Sequence, residues 1–137
     1  MGEVRVKVKI TNSRDEVAAL TGQITKESVR SYEADALVDT GAVTSVIPQH
    51  IYNQLGLVTI DKKVVQYADG RNDTVDATEP VIYEINGRRT PDEAFVIGDE
   101  VLIGQTVLEK MDLLVDCRNN QVIPNPARPD QPVLKVK

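Results

Sequence analysis

The chain opens on strict alternation. Val4, Val6, Val8 and Ile10 alternate with Arg5, Lys7 and Lys9, the period of a strand with one face buried and one in water. The basic residues are expected on the solvated face. Asn12-Ser13-Arg14-Asp15 reads as a turn, Val17 to Leu20 is too short to assign, and Thr21-Gly22 is a further break. Ile24 to Tyr32, rich in Thr, Val and Ser, predicts a strand. Ala34 to Val38 then runs into Asp39-Thr40-Gly41, and Ala42 to Ile47 predicts another strand.

Pro48 to Leu55 predicts a short helix, with Pro at its first position and Gly56 just past its end. Lys62 to Val75 predicts a hairpin turning at Asp69-Gly70. Val81, Tyr83 and Ile85 alternate up to a second hairpin turn at Asn86-Gly87. Ala94 to Ile97 and Val101 to Ile103 are short apolar strands, and Gln105 to Met111 is a short helix. Leu113 to Val115 and Gln121 to Ile123 flank a third hairpin turn at Arg118-Asn119-Asn120. Pro124, Pro126, Pro129 and Pro132 then predict a tail that is extended or loosely attached. The expected organisation is one domain over residues 1–124 and a Pro-rich tail over 125–137.

Composition narrows the class. A chain of 137 residues can bury a core without metal or disulfide staples. Hydrophobic residues are 41% and charged residues 27%, which excludes global disorder. Sixteen basic against twenty-one acidic residues leave a net charge of -5, which argues against a nucleic-acid partner. One Cys and one His exclude an internal disulfide, a Cys-rich zinc site and multi-histidine metal sites, so no metal or cofactor is expected. No apolar run approaches the ~18 residues of a membrane span, so no membrane partner is expected. Met1-Gly2-Glu3-Val4-Arg5-Val6 lacks the apolar block of a secretory signal, and a cytoplasmic setting is the default expectation.

One segment carries chemistry. Asp39 ends the apolar run Ala36-Leu37-Val38, and a carboxylate there is costly unless compensated. Gly41 permits close backbone approach and Thr40 offers a hydroxyl. By itself Asp-Thr-Gly reads more often as an Asx-turn closing a strand. Val101-Leu102-Ile103-Gly104, again followed by a helix, echoes the first segment. The echo hints at a duplicated half-barrel but is too short to prove one. His50 reads as a helix-surface or cap residue, Cys117 as a partly buried or idle thiol, and Asp35 as a solvated strand residue.

Ala36-Leu37-Val38-Asp39-Thr40-Gly41-Ala42, followed by Val43 to Pro48, resembles the active-site segment of the retropepsin-like aspartic proteases. Glu100-Val101-Leu102-Ile103-Gly104-Gln105 resembles that family's second signature, and the hairpin over Lys62 to Val75 stands where its flap does. The resemblance spans Val4 to Pro124 in matching order. It implies a mainly β fold: a closed acid-protease-like β-barrel with one or two short helices and one lobe per chain. It also implies an endopeptidase acting on a peptide or protein substrate. Asp-Thr-Gly occurs once, so the resemblance implies a homodimer with one Asp39 from each subunit. By the same resemblance Asp39 is catalytic, Thr40 crosses the dimer axis and Gly41 permits the approach. Ala42 meets the substrate backbone, and Tyr67, Ala68, Asp69 and Gly70 form the flap that closes over it.

The chain departs from the viral members of that family in three places. Its flap tip carries Asp69 and Arg71 where theirs are apolar and Gly-rich. Gln105 stands where Arg is common, and the chain continues past Cys117. A catalytically weak peptide-binding or dimerisation module on the same fold is therefore the alternative. A glycosidase would need a second carboxyl at fixed separation, and the sequence offers no convincing one.

Overall fold

A computed structural model describes residues 3–136. Met1 and Gly2 of the N-terminal reading, and Lys137 of the tail, lie outside the described residues.

Strand β1 (Arg5–Asn12) forms where the alternation predicts it, with Val8 and Ile10 buried and Arg5, Lys7 and Lys9 exposed. At its end the expected turn is instead a helix cap. The Asn12 side chain accepts the Asp15 N–H at 3.0 Å and donates to the Leu55 carbonyl at 2.7 Å. A side-chain cap contributes about 1 kcal/mol, and helix α1 (Ser13–Leu20) follows, absorbing the unassigned Val17–Leu20. This is a third α-helix beyond the one or two expected. The strand expected over Ile24–Tyr32 is also shortened. The Ser28 N–H bonds the Thr25 carbonyl, their hydroxyls pair at 3.0 Å, and a 3₁₀ turn occupies Lys26–Ser28. Local Ser/Thr bonding of this kind competes with sheet ladders.

Strand β2 (Ser31–Val38) pairs antiparallel with β1, placing Ala34 opposite Val8 and Tyr32 opposite Ile10. The strand expected over Ala42–Ile47 is reduced to β3 (Val46–Ile47), because the backbone of Ala42 and Val43 is engaged elsewhere. Helix α2 (Gln49–Gln54) follows, with Pro48 at the cap, one position earlier than expected, and Gly56 at φ +61° beyond its end. The next two hairpins are β4 (Thr59–Gln66) with β5 (Asn72–Thr78), and β6 (Val81–Ile85) with β7 (Arg88–Asp92). Short β8 (Phe95–Val96) and β9 (Leu102–Ile103) lead into helix α3 (Gln105–Lys110). The hairpin β10 (Leu113–Asp116) and β11 (Gln121–Pro124) is a separate two-stranded sheet.

The other nine strands form one sheet in the order β4-β5-β8-β3-β9-β2-β1-β6-β7. Strand twist curls such a sheet around its apolar face, and the chain is a mainly β, single-lobe half-barrel with few short helices. Ile10, Ile47, Tyr83, Ile85, Ile103, Leu108 and Met111 are each at most 2% exposed in the enclosed core. Burying one such side chain contributes about 1.5–3 kcal/mol.

The segment after Pro124 is tied to the lobe as far as Val133. The Asp112 carboxylate accepts from Arg128 Nε at 2.6 Å, Asn125 Nδ2 at 3.1 Å and the Val133 N–H at 3.1 Å. Arg88 of β7 adds donations to the Asp112 and Arg128 carbonyls at 2.9 and 2.8 Å. Above all the Arg128 guanidinium holds the Asp112 carboxyl well below the usual carboxylate range.

Candidate active site

Strand β2 delivers Asp39 to a parallel seam. Leu37 lies beside Leu102 and Val38 beside Ile103, and the Asp39 N–H donates to the Ile103 carbonyl at 2.9 Å. The Asp39 carbonyl accepts from Ala42 N at 3.1 Å, closing a tight loop. Inside it, Asp39 Oδ1 accepts the Gly41 N–H at 3.0 Å. Asp39, Thr40 and Gly41 are exposed and Ala42 is half-buried.

The second glycine locks this loop from behind. A Cβ on Gly104 would lie 2.9 Å from the Ala42 oxygen, the Val43 oxygen and the Thr44 carbonyl carbon. All three are backbone atoms, so only glycine fits. The next amides, Gln105 and Thr106, donate to the Ala42 and Val43 carbonyls at 2.8 and 3.1 Å. The loop after Asp39 thus satisfies the start of α3, and α3 immobilises the loop.

The arrangement presents one carboxylate at the surface on a rigid support. Among the described residues no cation pairs with Asp39, and no hydrogen bond joins it to another titratable side chain. Among the described residues no hydrogen bond engages the Thr40 hydroxyl. Among the described residues no group of three or more His, Cys, Asp or Glu is set to hold a metal ion. No helix there is long and apolar enough to cross a membrane.

Tyr67, Ala68, Asp69 and Gly70 lie at the tip of the β4–β5 hairpin. The Tyr67 N–H donates to the Arg71 carbonyl and Gly70 N–H to the Tyr67 carbonyl, with Gly70 at φ +89°. This is a three-residue loop ending in a left-handed residue. The tip is closed on itself. Asp69 accepts from the Arg71 backbone at 3.0 Å and from its Nε at 2.7 Å. The Arg71 guanidinium lies 5.0 Å from the Tyr67 ring centroid, and Tyr67 Oη donates to Asp73. The Arg71 N–H and guanidinium hold Asp69 below the usual carboxylate range. The structure therefore brings Asp39, Thr40, Gly41 and Ala42 together. Tyr67 to Gly70 form a second cluster, and no hydrogen bond joins the two among the described residues.

The remaining sequence candidates stand apart. Asp35 is exposed opposite Lys7 in the β1–β2 ladder. His50 is exposed and packs edge-on to Tyr32. Cys117 is exposed and not partly buried. Two concavities, of about 640 and 420 Å³, lie against β1, and neither includes Asp39. Lys7, Lys9, Glu33, Asp35 and Glu84 line the smaller as cross-strand opposite charges, an ordinary solvated surface. A residue the sequence reading passed over is Ser45. Its hydroxyl accepts the Gly104 N–H at 2.9 Å in full burial. The available signal was a small hydroxyl inside an otherwise apolar stretch.

The model of the family described as "gag-polyprotein putative aspartyl protease" matches residues 21–110, and the chain belongs to that retropepsin-like family. No curated protein matches it. The retroviral protease-like domain of Ddi1 from Leishmania major superposes with a TM-score of 0.57 at 18% identity, covering 92% of this chain and 90% of that one. EIAV protease, solved with the inhibitor HBY-793, gives a TM-score of 0.54 at 21% identity, covering 80% and 88%. The fold is therefore that of the retroviral proteases.

Proposed function

We propose that the chain is an aspartic endopeptidase, active as a homodimer in which two copies each contribute Asp39. The protease unit is residues 1–124, with 125–137 its Pro-rich C-terminal tail. The observation that carries the reading is the state of Asp39. Among the described residues it is an exposed carboxylate with no paired cation, on a loop packed against Gly104. One carboxylate cannot serve as base and acid at once, and a twofold axis beside the loop supplies the other.

The chemistry follows from charge. Two carboxylates ~4 Å apart repel by about 4 kcal/mol at an effective dielectric near 20. That equals about 3 pKa units, so the pair keeps one proton in mildly acidic solution. The ionised Asp39 takes a proton from the water held between the two as its oxygen attacks the scissile carbonyl carbon. The protonated Asp39 hydrogen-bonds the carbonyl oxygen. As the tetrahedral intermediate collapses, the leaving nitrogen receives a proton and the C–N bond breaks. Thr40 bonds across the dimer axis, and Ala42 contacts an extended peptide bound by strand addition. Tyr67 to Gly70 close over it to exclude water.

A peptide library incubated from about pH 3.5 to 7.5 and read by mass spectrometry tests this, with wild type beside Asp39→Asn. Cleavage by wild type alone is expected. Cleavage by a pure Asp39→Asn protein overturns the mechanism. Activity is also expected to rise faster than linearly with protein concentration near the dimer dissociation constant. The self-paired flap tip of Asp69, Arg71 and Tyr67 favours a second reading, a peptide-binding module with little turnover. A peptide complex of the folded dimer that persists for days uncleaved would select it.

A further inference from the structure

Ser45 is the least expected polar residue of the molecule. It is 0% exposed, six residues beyond Asp39, and sits where the loop turns into β3. Its Oγ accepts the Gly104 N–H at 2.9 Å. The Ser45 backbone oxygen in turn accepts from Phe95 N at 3.0 Å. Its hydroxyl and its carbonyl oxygen are therefore both committed, and these commitments reach β8 and the turn that opens α3.

That turn is the one that fixes Asp39. Ile103, immediately before Gly104, receives the Asp39 N–H, while Gln105 and Thr106, immediately after it, hold the Ala42 and Val43 carbonyls. Gly104 has no side chain and packs so close to the loop backbone that a Cβ would lie 2.9 Å from three of its atoms, and its own N–H is held by the Ser45 hydroxyl. A shift of Gly104 is transmitted to both ends of the Asp39 loop at once. An apolar residue at 45 would leave a buried N–H with no acceptor, which drives the backbone to move toward one.

Resting on the proposed endopeptidase reading, we infer that Ser45 is a positioning residue for the reaction: by holding the Gly104 amide it sets the location of Asp39, and so the spacing of the two carboxylates in the dimer. Ser45 touches neither substrate nor the reacting atoms. Its influence is on kcat and on the titration of the carboxylate pair, because displacement of a catalytic group by a fraction of an ångström lowers the rate far more than it lowers binding.

The test compares wild type, Ser45→Ala and Ser45→Thr as full chains, with Ser45→Cys, nearly isosteric but a weak acceptor, in place of Ala should that variant not fold. Kinetics are read per mole of folded dimer. Ser45→Ala is expected to lower kcat roughly 10- to 100-fold with KM within about twofold. Its pH–rate profile should shift at the limbs set by the dyad, and Ser45→Thr should restore all three. A lower melting temperature with kcat and the pH profile unchanged would overturn the inference and leave Ser45 a structural residue. Carbonyl-carbon NMR of the Asp39 carboxyl and amide exchange at Gly41 and Gly104 run in parallel. If wild type proves inactive, the endopeptidase reading fails by itself. The positioning claim then stands if Ser45→Ala moves the Asp39 titration and these amides, and falls if it does not.

Discussion

Hairpins β4–β5 and β6–β7 stand at opposite ends of the same sheet, and each is announced by a residue-Gly pair between β-forming segments. They differ in what lies beneath them. Val81, Tyr83 and Ile85 of β6 are at most 1% exposed, whereas Ile60 and Val64 of β4 are 63% and 70% exposed. The buried hairpin turns tightly through Asn86 and Gly87, at φ 51° and 78°, and its Arg88 ties β7 to the chain after α3. The exposed hairpin turns through the longer Tyr67–Arg71 loop and bonds only within itself at the tip. Turn chemistry alone thus does not distinguish an anchored hairpin from a projecting one. The anchored arm costs global stability when it opens, and the projecting arm can open by itself.

The largest expected break of this contrast is Tyr83→Ala. It empties a fully buried site and removes the donor to Glu93, and should cost about 3–5 kcal/mol in urea unfolding. A loss under 1 kcal/mol would mean that β6 is not part of the core. The glycine pair sharpens the same contrast. Gly87→Ala forces a left-handed backbone on a Cβ residue and should lower global stability by about 1–2 kcal/mol. Gly70→Ala, at φ 89°, carries similar local strain. Its cost should appear as faster amide exchange confined to Thr59–Thr78, with the melting temperature nearly unchanged. Equal melting shifts from the two would erase the distinction.

The Asp112 contacts extend the anchored side to the tail, and they are pH-dependent. Their carboxylate is held below its ordinary range in the folded state. The hold on Val133 is therefore complete above about pH 4, the ordinary aspartate pKa, and declines as pH falls further and protonation takes over. Val133 amide protection followed from pH 6 to 2 should decline in that order. Asp112→Asn, which tolerates the φ of 55° at this position, should lose that protection at neutral pH. Unchanged protection in this variant would mean that the tail is held by something other than Asp112. The smallest effect belongs to the projecting arm: Val64→Ser should move stability by less than about 0.5 kcal/mol in the same urea assay.

Much of this was legible in the residues. Period-two alternation located β1 and β6, and Asp-Gly and Asn-Gly located both turns. Arg118-Asn119-Asn120 located the third, where Asn120 takes φ 52°. The Asp39 loop stood out by its apolar approach and its glycine. The misses share a physical origin. Helix α1 is eight residues long, too short to be announced by periodicity, and depends on a cap that also reads as a turn. The strand lost at Ala42–Ser45 is lost to α3, a partner sixty residues away in sequence. The tail's attachment rests on Asp112, whose neighbours Arg128 and Val133 no local pattern connects to it. Ser45 is invisible for the same reason, since its partner is set by the crossing of distant segments.

The parallel seam between β2 and β9 has a consequence for how the molecule comes into being. Asp39 leaves a growing chain long before Ile103 exists to receive its amide, and a loop of that length must close before either strand gains from the other. Hairpins form from neighbours within microseconds, while such distant pairings come later. A nascent chain can thus hold β1 against β2 while the carboxylate still swings on an unsupported turn. The Asp39 loop is among the last features to acquire its shape, so an unfinished or partly unfolded chain carries the aspartate without the support that β9 and α3 give it.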